Sequence, residues 1–264
     1  MQKKRMGCAM LLTLDMGNTN ITIGVFDGSR LLFESRVATD RSRMEDQYAA
    51  EFRNIFRLYQ VDDRGFEGAV LGSVVPPLDN AIRRAVKKVT GLDPLMVGPG
   101  TKTGIDIRID NPAQLGADLL VGAVAAVARY GPPCAVWDLG TATKVSVVDA
   151  AGAYRGGAIM PGVGVSMDAL VARASLLPSI RLEAPPKAVG TNTIHCMQSG
   201  AVFGTAAMLE GMTARIEEEL GYPVKAVATG GFGREVAEHC RRPLQYDGDL
   251  LLEGLRLIYE KNKR

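Results

Sequence analysis

The chain is poor in the residues that most often hold metals or act as nucleophiles. It has two histidines, His195 and His239, and four cysteines, Cys8, Cys134, Cys196 and Cys240, far apart and never as CxxC. That spacing implies neither a zinc site nor a disulfide framework. The two cysteines that sit in apolar runs read as reduced core residues. A GxxxxGK[ST] segment is missing, which excludes a P-loop, and no GxGxxG follows a strand-like run. No apolar stretch reaches the roughly 20 residues that span a bilayer. The longest, "LLVGAVAAVA" at 119–128, reads as a buried helix. The net charge of +2 is too small to mark a nucleic-acid or membrane surface. The opening "MQKKRMGCAMLLTLD" is basic and then apolar, yet Asp15 interrupts it before it has the length of a signal sequence, and the residues before Cys8 are basic where a lipobox is apolar. The expectation is a cytoplasmic protein with a few leading residues before its first strand, Met10 being an alternative start.

What the chain does have is a plan written twice. "MLLTLD" is an apolar strand ending in Asp15, "GNT" a turn, "ITIGVFDG" a second strand and "RLLFESRV" a third. "CAVWD" is an apolar strand ending in Asp138, "GTAT" a turn, "KVSVVDAAG" a second strand and "AYRGGAIMPG" a third. Helical patterns follow each, "RMEDQYAAEFRNIFRLYQV" at 43–61 and "VSMDALVARASLL" at 165–177. Short strands come next, "GAVLGSVVP" and "VKAVATGGFG", closed by Gly and Pro turn signals. Meanders joined through helices to further strands predict two α/β domains with mixed sheets. The boundary is placed at "YGPP", giving halves 1–130 and 131–264, with the terminal helix "LLEGLRLIYEKN" able to pack on either.

An acid at a strand end followed by Gly and hydroxyl residues suits phosphoryl transfer. Such a reaction needs donors around the phosphates, a carboxylate for Mg²⁺ and a base for the attacking hydroxyl. Asp15 can supply the carboxylate, Gly17 lets the main chain approach a phosphate, and Asn18 and Thr19 add donors. Gly140, Thr141 and Thr143 can do the same in the second half. Either turn alone also reads as an ordinary hairpin. "TGGFG" at 229–233 reads equally as a flat bed for a nucleoside or as a plain strand-to-helix turn. Asp118 heads a helix that is apolar on nearly every face. Spacing alone makes it a dipole partner in the first turn rather than a positioned base. His195 lies in an apolar helical stretch and reads as packing.

The series "DMGNTN" at 15–20, "GAD" at 116–118, "DLGTAT" at 138–143, "GGAIMPG" at 156–162, "GTNT" at 190–193 and "TGG" at 229–231 resembles, in order and spacing, the type III pantothenate kinases. The resemblance implies a duplicated ribonuclease H-like fold of the actin, hexokinase and acetate-kinase superfamily, two similar domains around a central cleft, acting as a homodimer. It implies ATP-dependent phosphorylation of pantothenate to 4'-phosphopantothenate, the first step of coenzyme A biosynthesis, with Mg²⁺ and a monovalent cation, K⁺ or NH₄⁺. By position, Asp15, Met16, Gly17, Asn18, Thr19, Asn20, Ile21, Thr22 and Thr141 would bind ATP, with Asp15 holding Mg²⁺. Asp138 would hold K⁺. Ile109, Gly116, Ala117, Leu119 and Thr193 would line the pantothenate site. Asp118 would be the catalytic base, which reverses the dipole reading.

Three positions depart from that family's pattern. Leu119 stands where the family usually has Arg, and Ile109 where it usually has Tyr, so a guanidinium and a phenol that suit the substrate are missing. Lys144 follows "GTAT" where Thr is common. Its ammonium could reach Asp138 and replace the monovalent cation, or it points outward from a surface strand. Two other functions stay open at this point: a related kinase acting on another small alcohol, and a nucleotide-binding accessory protein without catalysis.

Overall fold

The computed structural model describes residues 10–263. Of the basic-then-apolar opening segment, residues 1–9, Cys8 among them, lie outside the described residues, and the rest enters the first strand. Three strands, β1 (Met10–Met16), β2 (Asn20–Asp27) and β3 (Arg30–Ala38), form an antiparallel meander. A crossover through α1 (Glu45–Leu58) leads to β4 (Phe66–Ser73), parallel to β1, and α2 (Pro76–Thr90) leads to the short β5 (Leu95–Met96). The order across this sheet is β3-β2-β1-β4-β5. α3 (Ala117–Tyr130) then leads to the second sheet.

There β6 (Cys134–Leu139), β7 (Ala142–Val148) and β8 (Tyr154–Pro161) repeat the meander. After β8 come α4 (Val163–Arg173), α5 (Thr193–Ser199), a π-helical turn at Gly200–Gly204 and α6 (Thr205–Leu220). β9 (Lys225–Thr229) pairs in parallel with β6, and α7 (Gly233–Ala237) connects it to β10 (Gln245–Tyr246) before the terminal α8 (Leu250–Asn262). The order β10-β9-β6-β7-β8 is that of the first sheet strand for strand, so the duplication read from the sequence is present in the topology.

Period-two alternation decides which face of each strand is buried. Leu12, Leu14 and Met16 of β1 and Ile21, Ile23 and Val25 of β2 enter one core with Tyr48, Phe52, Ile55 and Phe56 of α1. Those four helical positions lie at spacings of four, three and one, which makes one apolar stripe. α1 stops at Leu58, short of the pattern read to Val61, because Gln60 turns into a left-handed conformation at φ 57°. α2 is bounded by Pro76 at its start and by Gly91 at φ 77°, the expected asymmetry of helix ends. The other face of the first sheet carries Thr13 and Asp15. It is covered by α3 and α8: a side chain at Gly72 of β4 would meet Leu255 at 3.1 Å and Ala117 and Val121 at 3.9 Å.

The chain divides into two compact units. One takes the described residues up to Gly104, Asn111–Val124 and those from Leu251 onward; the other takes Ile105–Asp110 and Ala125–Leu250. The core of the second is centred on fully buried Trp137, whose indole donates to Thr213 Oγ1 at 3.1 Å. Thr213 in turn donates to the Leu209 carbonyl at 2.7 Å, so the polar edge of the ring is satisfied. In the same unit Arg129 at the end of α3 donates to both carboxylate oxygens of buried Asp247 at 2.7 Å, and Tyr130 donates to Asp247 at 2.8 Å. Burial, and then that hydrogen bond, pushes the Tyr130 phenol up to about 12. These bonds tie the end of α3 to the segment entering α8. Cys134 is buried and its thiol is pushed up to about 12 by burial, which makes it a packing residue rather than a nucleophile. Among the described residues, no helix is long and apolar enough to cross a membrane.

Candidate active site

In the first unit the site is built on the ends of β1 and β4. Asp15 stands opposite Thr22 of β2 and beside Gly72 of β4, on the face away from the core. The turn that follows is closed by the Gly17 amide donating to the Asn20 carbonyl at 3.0 Å, and leaves Asn18, Thr19 and Asn20 exposed. Met16 and Ile21 are fully buried in the core, so of the stretch assigned to ATP these two offer only their main chain. The sequence reading missed what holds the turn in place. Thr39 donates its hydroxyl to the Gly17 carbonyl at 2.7 Å and its amide to the Thr19 carbonyl at 2.9 Å.

Asp118 lies in the first turn of α3, half-buried, and its Oδ1 accepts from the Leu119 amide at 2.8 Å. The same oxygen is 2.6 Å from where a side chain on Gly116 would begin, so only glycine there lets the carboxylate fold back over the chain. Gly72 links the two acids. It is the β4 partner of Asp15, and its bare face is turned to Ala117, the neighbour of Asp118. The helix whose first turn carries Asp118 thus packs on the sheet face that carries Asp15. Asp15 has the chemistry Mg²⁺ needs, since that ion takes one or two carboxylates and fills its other positions with phosphate oxygens and water. No cluster of three or more acidic, His or Cys side chains that could hold a metal occurs among the described residues, and such a site does not require one.

In the second unit Asp138 of β6 and Lys144 of β7 are directly opposed in register. Lys144 Nζ lies 2.8 Å from Asp138 Oδ2, with side-chain exposures of 16% and 15%. The ammonium faces the carboxylate, so the outward-pointing alternative is overturned. The turn between them is pinned from β8: the Gly162 amide donates to the Thr141 carbonyl at 3.1 Å, and a side chain on Gly162 would come within 2.3 Å of that oxygen. Thr141 itself is exposed. Thr143 corrects the reading that gave it to the phosphates. It alternates with Val145 and Val147, is fully buried, and its hydroxyl has no hydrogen-bond partner among the described residues.

The remaining sequence-derived residues of the second unit are placed as follows. Ile109 is half-buried, its Cγ2 3.8 Å from the position a side chain on Gly156 would take. Thr193 is the exposed first residue of α5, whose capping residue Asn192 accepts from the His195 amide at 2.9 Å. "TGGFG" forms a strand-to-helix connection in which Gly230, at φ 90°, packs on the Leu139 main chain, while Gly231 is open.

Comparison with known proteins bears on the family and the fold. Residues 11–215 match the family described as type III pantothenate kinase. The chain is 46% identical over 255 residues to the type III pantothenate kinase of Roseiflexus castenholzii, covering 97% of this chain and all of that one. Among solved structures it is similar to component A of the (R)-2-hydroxyglutaryl-CoA dehydratase of Acidaminococcus fermentans, with a TM-score of 0.59 at 14% identity, 97% of this chain and 100% of that one being covered. It is also similar to MreB 5 of Spiroplasma citri bound to AMPPNP, with a TM-score of 0.52 at 10% identity and 96% of each chain covered. At such identities these two likenesses speak for the fold, a duplicated α/β architecture of the actin and hexokinase type, and for nothing further.

Proposed function

Because the chain belongs to the type III pantothenate kinase family and so transfers a phosphoryl group from ATP to pantothenate in coenzyme A biosynthesis, we propose that Asp118 is the base of that transfer. In the same reading Asp15 and the turn after it hold Mg²⁺ and the ATP phosphates. The observation that supports this is that α3, with Asp118 in its first turn, packs over Gly72, the β4 partner of Asp15. Phosphoryl transfer needs little beyond positioning and charge, and a carboxylate at the acceptor hydroxyl takes its proton as the new P–O bond forms. Met16, Gly17, Asn18, Thr19, Asn20, Ile21, Thr22 and Thr141 are assigned to ATP; Gly116, Ala117, Leu119, Ile109 and Thr193 are assigned to pantothenate. Mg²⁺, when bound, neutralises phosphate charge.

Gly116 provides the experiment. Gly116→Ala must push the Asp118 carboxylate aside, because flexible side-chain atoms yield before backbone does. We expect kcat to fall about tenfold or more, with the melting temperature and KM for ATP unchanged. A variant with wild-type kcat would contradict the assignment of Asp118.

The residues around Asp138 do not suit a further monovalent cation, since the Lys144 ammonium already lies at that carboxylate. We therefore assign the K⁺ role to Lys144. We also infer that the protein works in the cytoplasm as a homodimer. Large apolar side chains left exposed on β8, α4 and the segment leading into α5, namely Ile159, Val165, Leu170, Leu176 and Val189, support the second point. Equilibrium sedimentation is expected to give twice the chain mass; a single species at the chain mass would count against it.

A further inference from the structure

We infer that Arg41 is a further ATP-binding residue, whose guanidinium brings to the Asp15 turn the positive charge that the turn lacks. The inference rests on the proposal that this turn receives the ATP phosphates. Between Arg5 and Arg30 the sequence contains no Lys or Arg, so nothing within β1, the turn or β2 can meet a triphosphate with a cation. P-loops carry a lysine in the loop for that purpose. Here the charge comes from the segment after β3. Arg41 Nη2 donates to Asn18 Oδ1 at 2.9 Å, reaching back 23 positions to the tip of the turn.

The segment is held so that Arg41 is presented there. Thr39 is bonded to the turn by hydroxyl and amide. On the other side of Thr39, the Asp40 amide donates to the hydroxyl of fully buried Tyr48 at 3.0 Å, and that hydroxyl donates to the Asp40 carbonyl at 2.9 Å. Ser42 donates its amide and its hydroxyl to Asp40 Oδ1 at 2.9 and 2.7 Å, and these bonds hold the Asp40 carboxyl below its ordinary range. The neighbouring cations are committed elsewhere: Arg43 donates to Glu51, and Arg36 to Glu34 at 2.8 Å. Arg41 instead meets a neutral amide, which leaves its charge available, and a guanidinium matches phosphate oxygens in geometry as well as charge. The contact also sets the Asn18 amide. With Oδ1 taken by Arg41, Nδ2 and its two donors face the other way, as a phosphate neighbour requires.

The test is steady-state kinetics of Arg41→Ala, Arg41→Lys and Asn18→Ala, with inorganic tripolyphosphate as a competing probe. Arg41→Ala is expected to raise KM for ATP and the inhibition constant of tripolyphosphate about tenfold or more, to flatten the salt dependence of both, and to leave KM for pantothenate and the melting temperature unchanged. Arg41→Lys should recover part of the loss. If Asn18→Ala weakens ATP while Arg41→Ala stays within twofold of wild type, the inference about Arg41 is wrong. If neither variant moves KM for ATP, the placement of ATP at the turn fails, and the inference falls with it.

Discussion

Asp118→Asn is expected to lower kcat by about 10²–10⁴-fold, the range that a positioned general base contributes, while KM for ATP changes less than twofold. Asparagine is the right probe because it occupies the same space over Gly116 and keeps an oxygen to accept from the Leu119 amide at 2.8 Å. It differs in being unable to take a proton. The rival role for Asp118, a partner of the α3 dipole, concerns stability and is worth about 0.3–1 kcal/mol. A kcat loss of 10²–10⁴ corresponds to about 2.7–5.5 kcal/mol of transition-state stabilisation, which a dipole contact cannot supply. Steady-state turnover together with a thermal melt therefore separates the two roles. Turnover within fivefold of wild type, with a small drop in melting temperature, would return Asp118 to the dipole role.

Lys144→Thr is the second large effect, and it is conditional on salt. Directly opposed residues on antiparallel strands have Cβ atoms about 4.5–5.5 Å apart, so register alone keeps Lys144 beside Asp138. Both side chains are mostly covered, at 16% and 15% exposure, and a carboxylate so placed is costly to leave without a counter-charge. The threonine variant is expected to lose about tenfold or more of kcat/KM when tetramethylammonium is the only monovalent cation. K⁺ or NH₄⁺ should restore it, and a potassium titration should give a saturating curve. Full turnover of the variant without K⁺, or a loss that K⁺ does not repair, would show that the ammonium does not stand in for the ion.

The duplicated architecture was legible because each half repeats an apolar strand, an acid, a Gly-containing turn and two alternating strands, and because strand period and turn chemistry are local properties. The face of each residue was legible for the same reason where it was applied. Thr143 shares the parity of Val145 and Val147, and that parity puts it in the core. Hairpin arithmetic likewise sets Asp138 against Lys144 once Gly140, Thr141 and Ala142 lie between the paired Leu139 and Thr143. What could not be read was contact across long stretches of chain. The helix that carries Asp118 reaches the sheet face of Asp15 only because α3 packs over Gly72, and no local pattern encodes that approach. Thr39 and Arg41 were passed over because a loop after an edge strand carries no periodicity, and its bonds to Gly17 and Asn18 exist only once the meander has formed. The end of α1 escaped because Gln60 adopts a left-handed conformation that its type does not announce.

The most direct measurement is pantothenate-dependent ADP release by the wild-type protein, with ATP and Mg²⁺, in buffer freed of K⁺ and NH₄⁺ and again after K⁺ is added back. Turnover that is the same within twofold in both is the expected result, because the cation near Asp138 is covalently part of the chain. Turnover that appears only on adding K⁺ would contradict it.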